Sequence, residues 1–160
     1  MIKATITRTR SGYLVEIGNR EYTHITIVPI KFTLQHFYKN YKLIRKRHRW
    51  LIYRNNKTVG AIVPKGIFNS RYYDIEFHSD YVYMNDYYNI ITLDKEGKQV
   101  AEGRRHGNKW CCQLTEMYYI DMLIPAILRN DYRSNLHRFT RHRFSNGNRN
   151  YDSNFWENNN

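Results

Sequence analysis

Apolar and polar residues alternate from the start of the chain. Ile2, Ala4 and Ile6 fall on one face of an extended segment and Lys3, Thr5 and Thr7 on the other, the period of a half-buried strand. Ser11-Gly12 is a turn signal, Tyr13 to Ile17 reads as the returning strand, and Gly18-Asn19 turns the chain again. The β-branched stretch Tyr22 to Ile30 predicts a third strand, limited by Pro29, which has no N–H to give to a ladder. In Lys31 to Asn40 the apolar residues Phe32, Leu34 and Phe37 fit neither the strand nor the helix period. Two later units resemble each other at an offset of about forty residues. Leu51 to Phe77 reads as strand LIY, turn RNNK, strand TVGAI, a loop and strand RYYDIEF; Ile90 to Leu114 reads as IITL, DKEGK, QVAEG, a loop and KWCCQL. Each is a meander, with Asn55-Asn56 and Glu96-Gly97 suited to the positive φ of tight hairpins. Between them Tyr81 to Tyr88 predicts a further strand, with Asn85-Asp86 as a turn.

One stretch breaks this pattern. Tyr118 to Leu128 (YYIDMLIPAIL) is the only long apolar run, with Asp121 its only charge. It is too short to span a bilayer, which takes about 20 apolar residues. It is apolar all round, which predicts a segment enclosed by the fold rather than a surface helix. A duplicated meander closing into a barrel would enclose it. Asp121 is a candidate N-cap, placing Pro125 in the first turn; the alternative is a kink at Ile124. Leu128, Tyr132, Leu136 and Phe139, flanked by Arg129, Arg133, His137 and Arg141, predict a basic amphipathic continuation. From Ser145 the sequence is polar, Asn-rich and expected to be disordered.

Charge changes the picture from fold to partner. The 160 residues carry a formal net charge of +12, with a pI of about 9.8. That excess points to an anionic partner, for which phosphate backbones and anionic lipid headgroups are the candidates. From Lys39 to Lys57 there are eight Lys or Arg and no acidic residue, yet Leu43, Ile44, Trp50, Leu51, Ile52 and Tyr53 keep the stretch strand-like. It is expected to be a patch on one edge of a folded sheet. The adjacent Cys111 and Cys112 would point to opposite faces of a strand and could not bridge each other, which suits a reducing cytoplasm. No stretch has the apolar core of a signal peptide or a membrane span, so any membrane contact would be peripheral.

Catalytic motifs are lacking: there is no HExxH, CxxC pair, P-loop or GxSxG. The seven His show no metal-ligand spacing. Asp74, Glu76, His78 and Asp80 would share one strand face and could hold a hard cation, but they read better as the solvated face opposite Ile75 and Phe77. No metal, cofactor or catalysis is therefore expected. The candidate anion-binding residues are Lys42, Arg45, Lys46, Arg47, Arg49 and Trp50 in one cluster, Arg104, Arg105 and Lys109 in a second, and Arg133, Arg138 and Arg141 in a third, with Lys65 and Arg71 nearby. Arg offers phosphate a fork of donors, and interleaved Tyr and Trp suit either a lipid headgroup layer or base stacking.

Tyr53 to Ile62 (YRNNKTVGAI), Tyr72 to Phe77 (YYDIEF), Leu93 to Gly103 (LDKEGKQVAEG) and the segment Lys109 to Asp131 resemble the tubby C-terminal-like group, which includes tubby proteins, phospholipid scramblases, LURP-one-related proteins and small bacterial relatives. The resemblance implies a closed antiparallel barrel with a hydrophobic C-terminal helix threaded through it. For tubby-like members it also implies binding of phosphoinositide headgroups by surface Lys and Arg. No scramblase-like calcium segment or membrane span accompanies it, and the basic stretch after Asp131 departs from the group's pattern. The expected protein is mainly β: one barrel domain over residues 1–131 with a central helix at about 118–131, a basic extension over 132–144 and a tail over 145–160. It is expected to be a non-enzymatic binder of anionic phospholipid or a phosphorylated partner. Nucleic acid is the alternative, and a protein-interaction scaffold a third reading.

Overall fold

The computed structural model describes residues 1–66 and 71–132. Twelve strands run in chain order: β1 (Ile2–Arg8), β2 (Gly12–Ile17), β3 (Arg20–Ile30), β4 (Thr33–Tyr38), β5 (Tyr41–Lys46), β6 (Arg49–Arg54), β7 (Lys57–Pro64), β8 (Tyr72–Phe77), β9 (Asp80–Tyr87), β10 (Ile90–Lys95), β11 (Lys98–His106) and β12 (Lys109–Leu114). Each pairs antiparallel with its sequence neighbours, and β1 pairs with β12 from Ile2–Leu114 to Thr7–Lys109, closing the barrel. A 3-10 turn at Met117–Tyr119 then leads into a helix, α1, over residues 120–132.

The wall and the helix explain each other. About eight strands leave a bore that side chains alone can fill, and bore width grows with strand number. Twelve strands leave room for a helix. Ile120, Met122, Leu123, Ile124, Ala126, Ile127 and Leu128 are all fully buried, on every side of α1. Inward wall positions supply the other half of the core, including Ile6, Val15, Ile25, Leu43, Ile52, Ile62, Ile75, Leu93 and Trp110. Each large side chain so buried contributes roughly 1.5–3 kcal/mol. The all-round apolarity of the run thus reflects enclosure by the sheet.

Closure also needs bent strands. The two resembling sequence units are β6–β8 and β10–β12, and each opening hairpin shifts register near its turn, at Ile52/Tyr53 and Leu93/Asp94. The β2–β3 hairpin shifts at Val15/Glu16, four strands further round. The duplication is therefore a threefold pattern of bulged hairpins, each adding local twist and bend. Gly12 and Gly60 allow close backbone approach: a Cβ on Gly12 would lie 1.7 Å from the Ile25 carbonyl oxygen, and one on Gly60 2.5 Å from that of Glu76.

Five expectations are corrected. Lys31 to Asn40 contains a full strand, β4, whose inward residues include His36 and Tyr38. The basic stretch is no sheet edge but the β5–β6 hairpin inside a closed wall. Asn85-Asp86 is not a turn: β9 continues to Tyr87, Asp86 points inward and is buried, and the chain turns at Tyr88-Asn89. The run Asp74, Glu76, His78, Asp80 does not share one strand, because β8 ends at Phe77 and His78 turns the chain with φ 50. Asp121 lies within α1 rather than capping it, so Pro125 falls past the first turn and leaves the Asp121 carbonyl without its usual helical donor.

Candidate anion-binding rim

In an antiparallel barrel, successive turns fall at alternate ends. The β1–β2, β3–β4, β5–β6, β7–β8, β9–β10 and β11–β12 connections share one rim; the other turns share the opposite one. Helix α1 enters at the second rim, where Asp121 accepts hydrogen bonds from Tyr22 (2.9 Å) and Lys39 (3.1 Å). It leaves through the first, where residues 130–132 meet side chains beside the β1–β2 and β11–β12 connections.

A polar network anchors the helix at this exit rim. Asp131 is 3% exposed. Tyr13 donates to its Oδ2 (2.8 Å), Trp110 Nε1 to its Oδ1 (3.2 Å), and Arg8 and Arg105 pair with its two oxygens at 3.1 and 2.5 Å. These donors use the roughly four acceptor sites of a carboxylate. Asp86 is likewise buried between Arg129 Nη1 (2.6 Å) and Asn130 Nδ2 (2.6 Å), and Asn130 also donates to the Tyr88 carbonyl (2.7 Å). Arg129 donates to Tyr73 as well. The three Arg side chains offset both the buried carboxylates and the partial negative charge at a helix C-terminus. Burial, and then the Asp131 carboxylate, push the Tyr13 hydroxyl well above its ordinary range.

Five of the expected anion-binding residues lie on this rim, four at the β5–β6 hairpin and one at the β11–β12 hairpin across the ring from it. Arg45, Lys46, Arg47 and Arg49 are exposed at the β5–β6 hairpin and Lys109 is exposed at the start of β12. Among the described residues no carboxylate pairs with any of them. Arg45 also lies over the Tyr132 ring, 5.7 Å from its centre. Others serve elsewhere. Trp50 is buried, packed edge-on against Tyr132 and tilted against His36. Arg105 is committed to Asn130 and Asp131 and lies over Trp110. Arg104 pairs with Glu102 at 2.6 Å. Lys42 lies on the outer wall over Tyr53, nearer the entry rim. Arg133, Arg138 and Arg141, with the basic extension and the tail, lie outside the described residues. Cys111 is exposed and Cys112 buried, on opposite faces, and burial pushes the Cys112 thiol up to about 12.

Sequence reading missed the β3–β4 tip, Lys31-Phe32, which is exposed on the same rim. It also missed the roles of Asp86, Asn130 and Asp131. A polar Asn-Asp pair closing an apolar run was their only sequence signal. The entry rim is different in charge. Lys39 pairs with Asp121 and Lys95 with Asp80 at 2.8 Å; Glu16 and Glu21 flank Arg20 at the β2–β3 turn, Glu96 precedes Lys98 at the β10–β11 turn and Glu116 follows β12, while Arg54 and Lys57 flank the β6–β7 turn. Among the described residues there is no group of His, Cys, Asp and Glu able to hold a metal ion, and no helix long and apolar enough to cross a membrane. No family model, curated protein or solved structure matches the chain in comparisons with known proteins.

Replacing Asp131 with Asn would leave Arg8 and Arg105 facing each other without a countercharge. The expected loss is about 3–5 kcal/mol in urea denaturation; a loss below about 1 kcal/mol would contradict the anchoring role. His36 gives a separate pH signature. Burial pulls its imidazole down to about 4, against the opposing effects of a hydrogen bond to the Leu43 backbone and of Asp131, and its Nδ1 has no partner. The unfolded chain, with an ordinary His near 6.5, binds the proton first. Stability is thus full above about pH 6.5 and falls as pH drops to about 4, by roughly 3 kcal/mol for this group. His36→Leu should remove that part of the slope; an unchanged slope would assign it to other groups.

Proposed function

We propose that the exit rim docks this protein on an anionic phospholipid surface, as a binding protein without catalysis. The observation that carries the reading is the sorting of charge by rim. The exit rim presents Lys31, Arg45, Lys46, Arg47, Arg49 and Lys109 without carboxylate partners among the described residues, whereas the entry rim intersperses its Lys and Arg with Glu16, Glu21, Asp80, Glu96, Glu116 and Asp121. Each cation held near an anionic membrane is worth about 1 kcal/mol, diminished by salt. The outer wall carries polar residues such as Lys3, Glu76, Glu102 and Gln113, which suits contact through an end rather than burial of the wall in lipid. The tubby-like resemblance adds a phosphoinositide headgroup as the preferred lipid and a cytoplasmic membrane surface as the place.

Single-stranded nucleic acid is the second reading, favoured by one feature of the wall. Tyr72 and Tyr83 stack with ring centres 5.6 Å apart, next to Lys65 and Arg71. Such rings could take bases. They are already covered by cations of this chain, Lys65 over Tyr83 at 4.9 Å and Arg71 over Tyr72 at 5.4 Å, so the lipid reading is preferred.

Co-sedimentation with phosphatidylcholine vesicles, with and without phosphatidylserine or phosphoinositide, tests the proposal. Binding should require the anionic lipid and weaken with salt. The triple variant Arg45→Glu, Arg47→Glu, Arg49→Glu should bind about 100-fold more weakly, while Arg54→Glu with Lys57→Glu on the other rim stays within about threefold of the parent. Binding indifferent to anionic lipid, or tighter binding to a single-stranded oligonucleotide at equal salt, would overturn it.

A further inference from the structure

The β3–β4 hairpin stands clear of the wall. Pairing of β2 with β3 ends at Gly12–Thr26, with one further bond from the Ile27 amide to the Ser11 carbonyl at 3.0 Å. Pairing of β4 with β5 ends at Gln35–Ile44. Beyond the Val28–Gln35 pair, whose Gln35 is still held by β5, β3 and β4 pair only with each other, through Pro29–Leu34 and Ile30–Thr33. Residues 28–34 therefore form a two-stranded finger on the exit rim, beside the basic β5–β6 tip. Pro29 is tolerated in β3 because the strand has become an edge there, and it blunts that edge against pairing with another chain.

The finger has the wrong composition for a water-exposed turn. Val28, Ile30 and Leu34 are only half-buried, and Phe32 at the tip is fully exposed. The turn is Lys31-Phe32, with φ of 47 and 71. Two-residue hairpins of this shape favour Asn and Gly, and a bulky aromatic in the left-handed region is a steric outlier. Asn55-Asn56 and Glu96-Gly97 follow the preference; Lys39, Arg47, His78, Ser79 and Tyr88 also turn with positive φ, but Phe32 has the largest φ of the non-Gly residues described and is the most exposed of the large hydrophobic residues. Phe32 thus accepts backbone strain without packing on the described fold, a combination that points to a role at a binding surface.

We infer that the β3–β4 finger is a membrane-insertion element: Phe32, backed by Val28, Ile30 and Leu34, enters the headgroup–acyl boundary of an anionic bilayer while Lys31 and the neighbouring Arg45, Arg47 and Arg49 hold the headgroups. This rests on the docking proposed above and adds an apolar, salt-insensitive component to it. Charge complementarity commits the finger to a lipid surface. A second copy of this chain would bring the same cations against it, and an oligonucleotide offers no apolar layer for Phe32.

The test compares wild type, Phe32→Gly and Phe32→Leu on vesicles of phosphatidylcholine with phosphatidylserine across a salt series. Phe32→Gly, which relieves the turn and should not lower the unfolding midpoint, is expected to bind about 10- to 100-fold more weakly with an unchanged salt slope. Phe32→Leu should stay within about threefold of wild type. Wild type bound in a salt-dependent manner with Phe32→Gly equally tight overturns the insertion alone. Wild type that does not bind these vesicles overturns the docking and the insertion together. A concentration-dependent dimer in the absence of vesicles, abolished by Phe32→Gly, would reassign the finger to self-association and overturn its lipid role.

Discussion

Enclosure of a helix on every side is the constraint on which the rest depends. Twelve strands leave a bore too wide for wall side chains alone, so α1 must be apolar around its whole circumference, from Ile120 to Leu128. A helix that must pass through an apolar bore still ends in unpaired carbonyls and a partial negative charge. Asn130 and Asp131 begin the polar segment at that point; Arg8, Arg105, Tyr13 and Trp110 converge on them from the wall, while Arg129 of the helix reaches out to Asp86 of β9. The network costs desolvation of several charges, but it fixes the depth and rotation of α1, because Asp131 of the helix needs partners from β1, β2, β11 and β12 and Asp86 of β9 needs Arg129 and Asn130 of the helix.

The same alternation that closes the barrel also sorts its charge. Antiparallel order sends every second turn to the same end, so cationic segments far apart in sequence arrive on one rim, and most acidic residues near turns arrive on the other. The exit rim thus has two layers of basic residues. Arg8 and Arg105 turn inward and are neutralised by Asp131 at the helix end, and Arg129 of the helix by Asp86 of β9, while Lys31, Arg45, Lys46, Arg47, Arg49 and Lys109 remain outside and exposed. In the docking proposed above, the outer layer is the part that would meet the anionic surface. The inner layer keeps the platform rigid.

Much of this was legible in the chain. Period-two alternation identified β1 and β2, the meanders identified β6–β8 and β10–β12, and the apolar run identified α1. The failures have physical causes. In β4 the inward positions include His36 and the outward ones Phe37, which inverts the usual pattern. Asn85-Asp86 has turn chemistry, yet Asp86 is held in a strand by Arg129 and Asn130, more than forty residues away. Trp50 and Arg105 sit in basic clusters and look like surface residues, but each turns inward to a helix end that sequence proximity cannot reveal. Overlooking β4 also has a geometric consequence. One missed strand reverses the parity of every later turn relative to the earlier ones, so the placement of the β3–β4 tip and the β5–β6 cluster on one rim was invisible even though the cluster was plain.

Hydrogen–deuterium exchange with and without anionic vesicles tests the central claim, that one rim is the binding face, most directly. Added protection should be confined to the amides of residues 28–34, 46–49 and 106–109. The turns at 18–19, 55–56 and 96–97 should exchange as they do in the free protein. Protection spread evenly over both rims, or concentrated on the entry turns, would contradict the account.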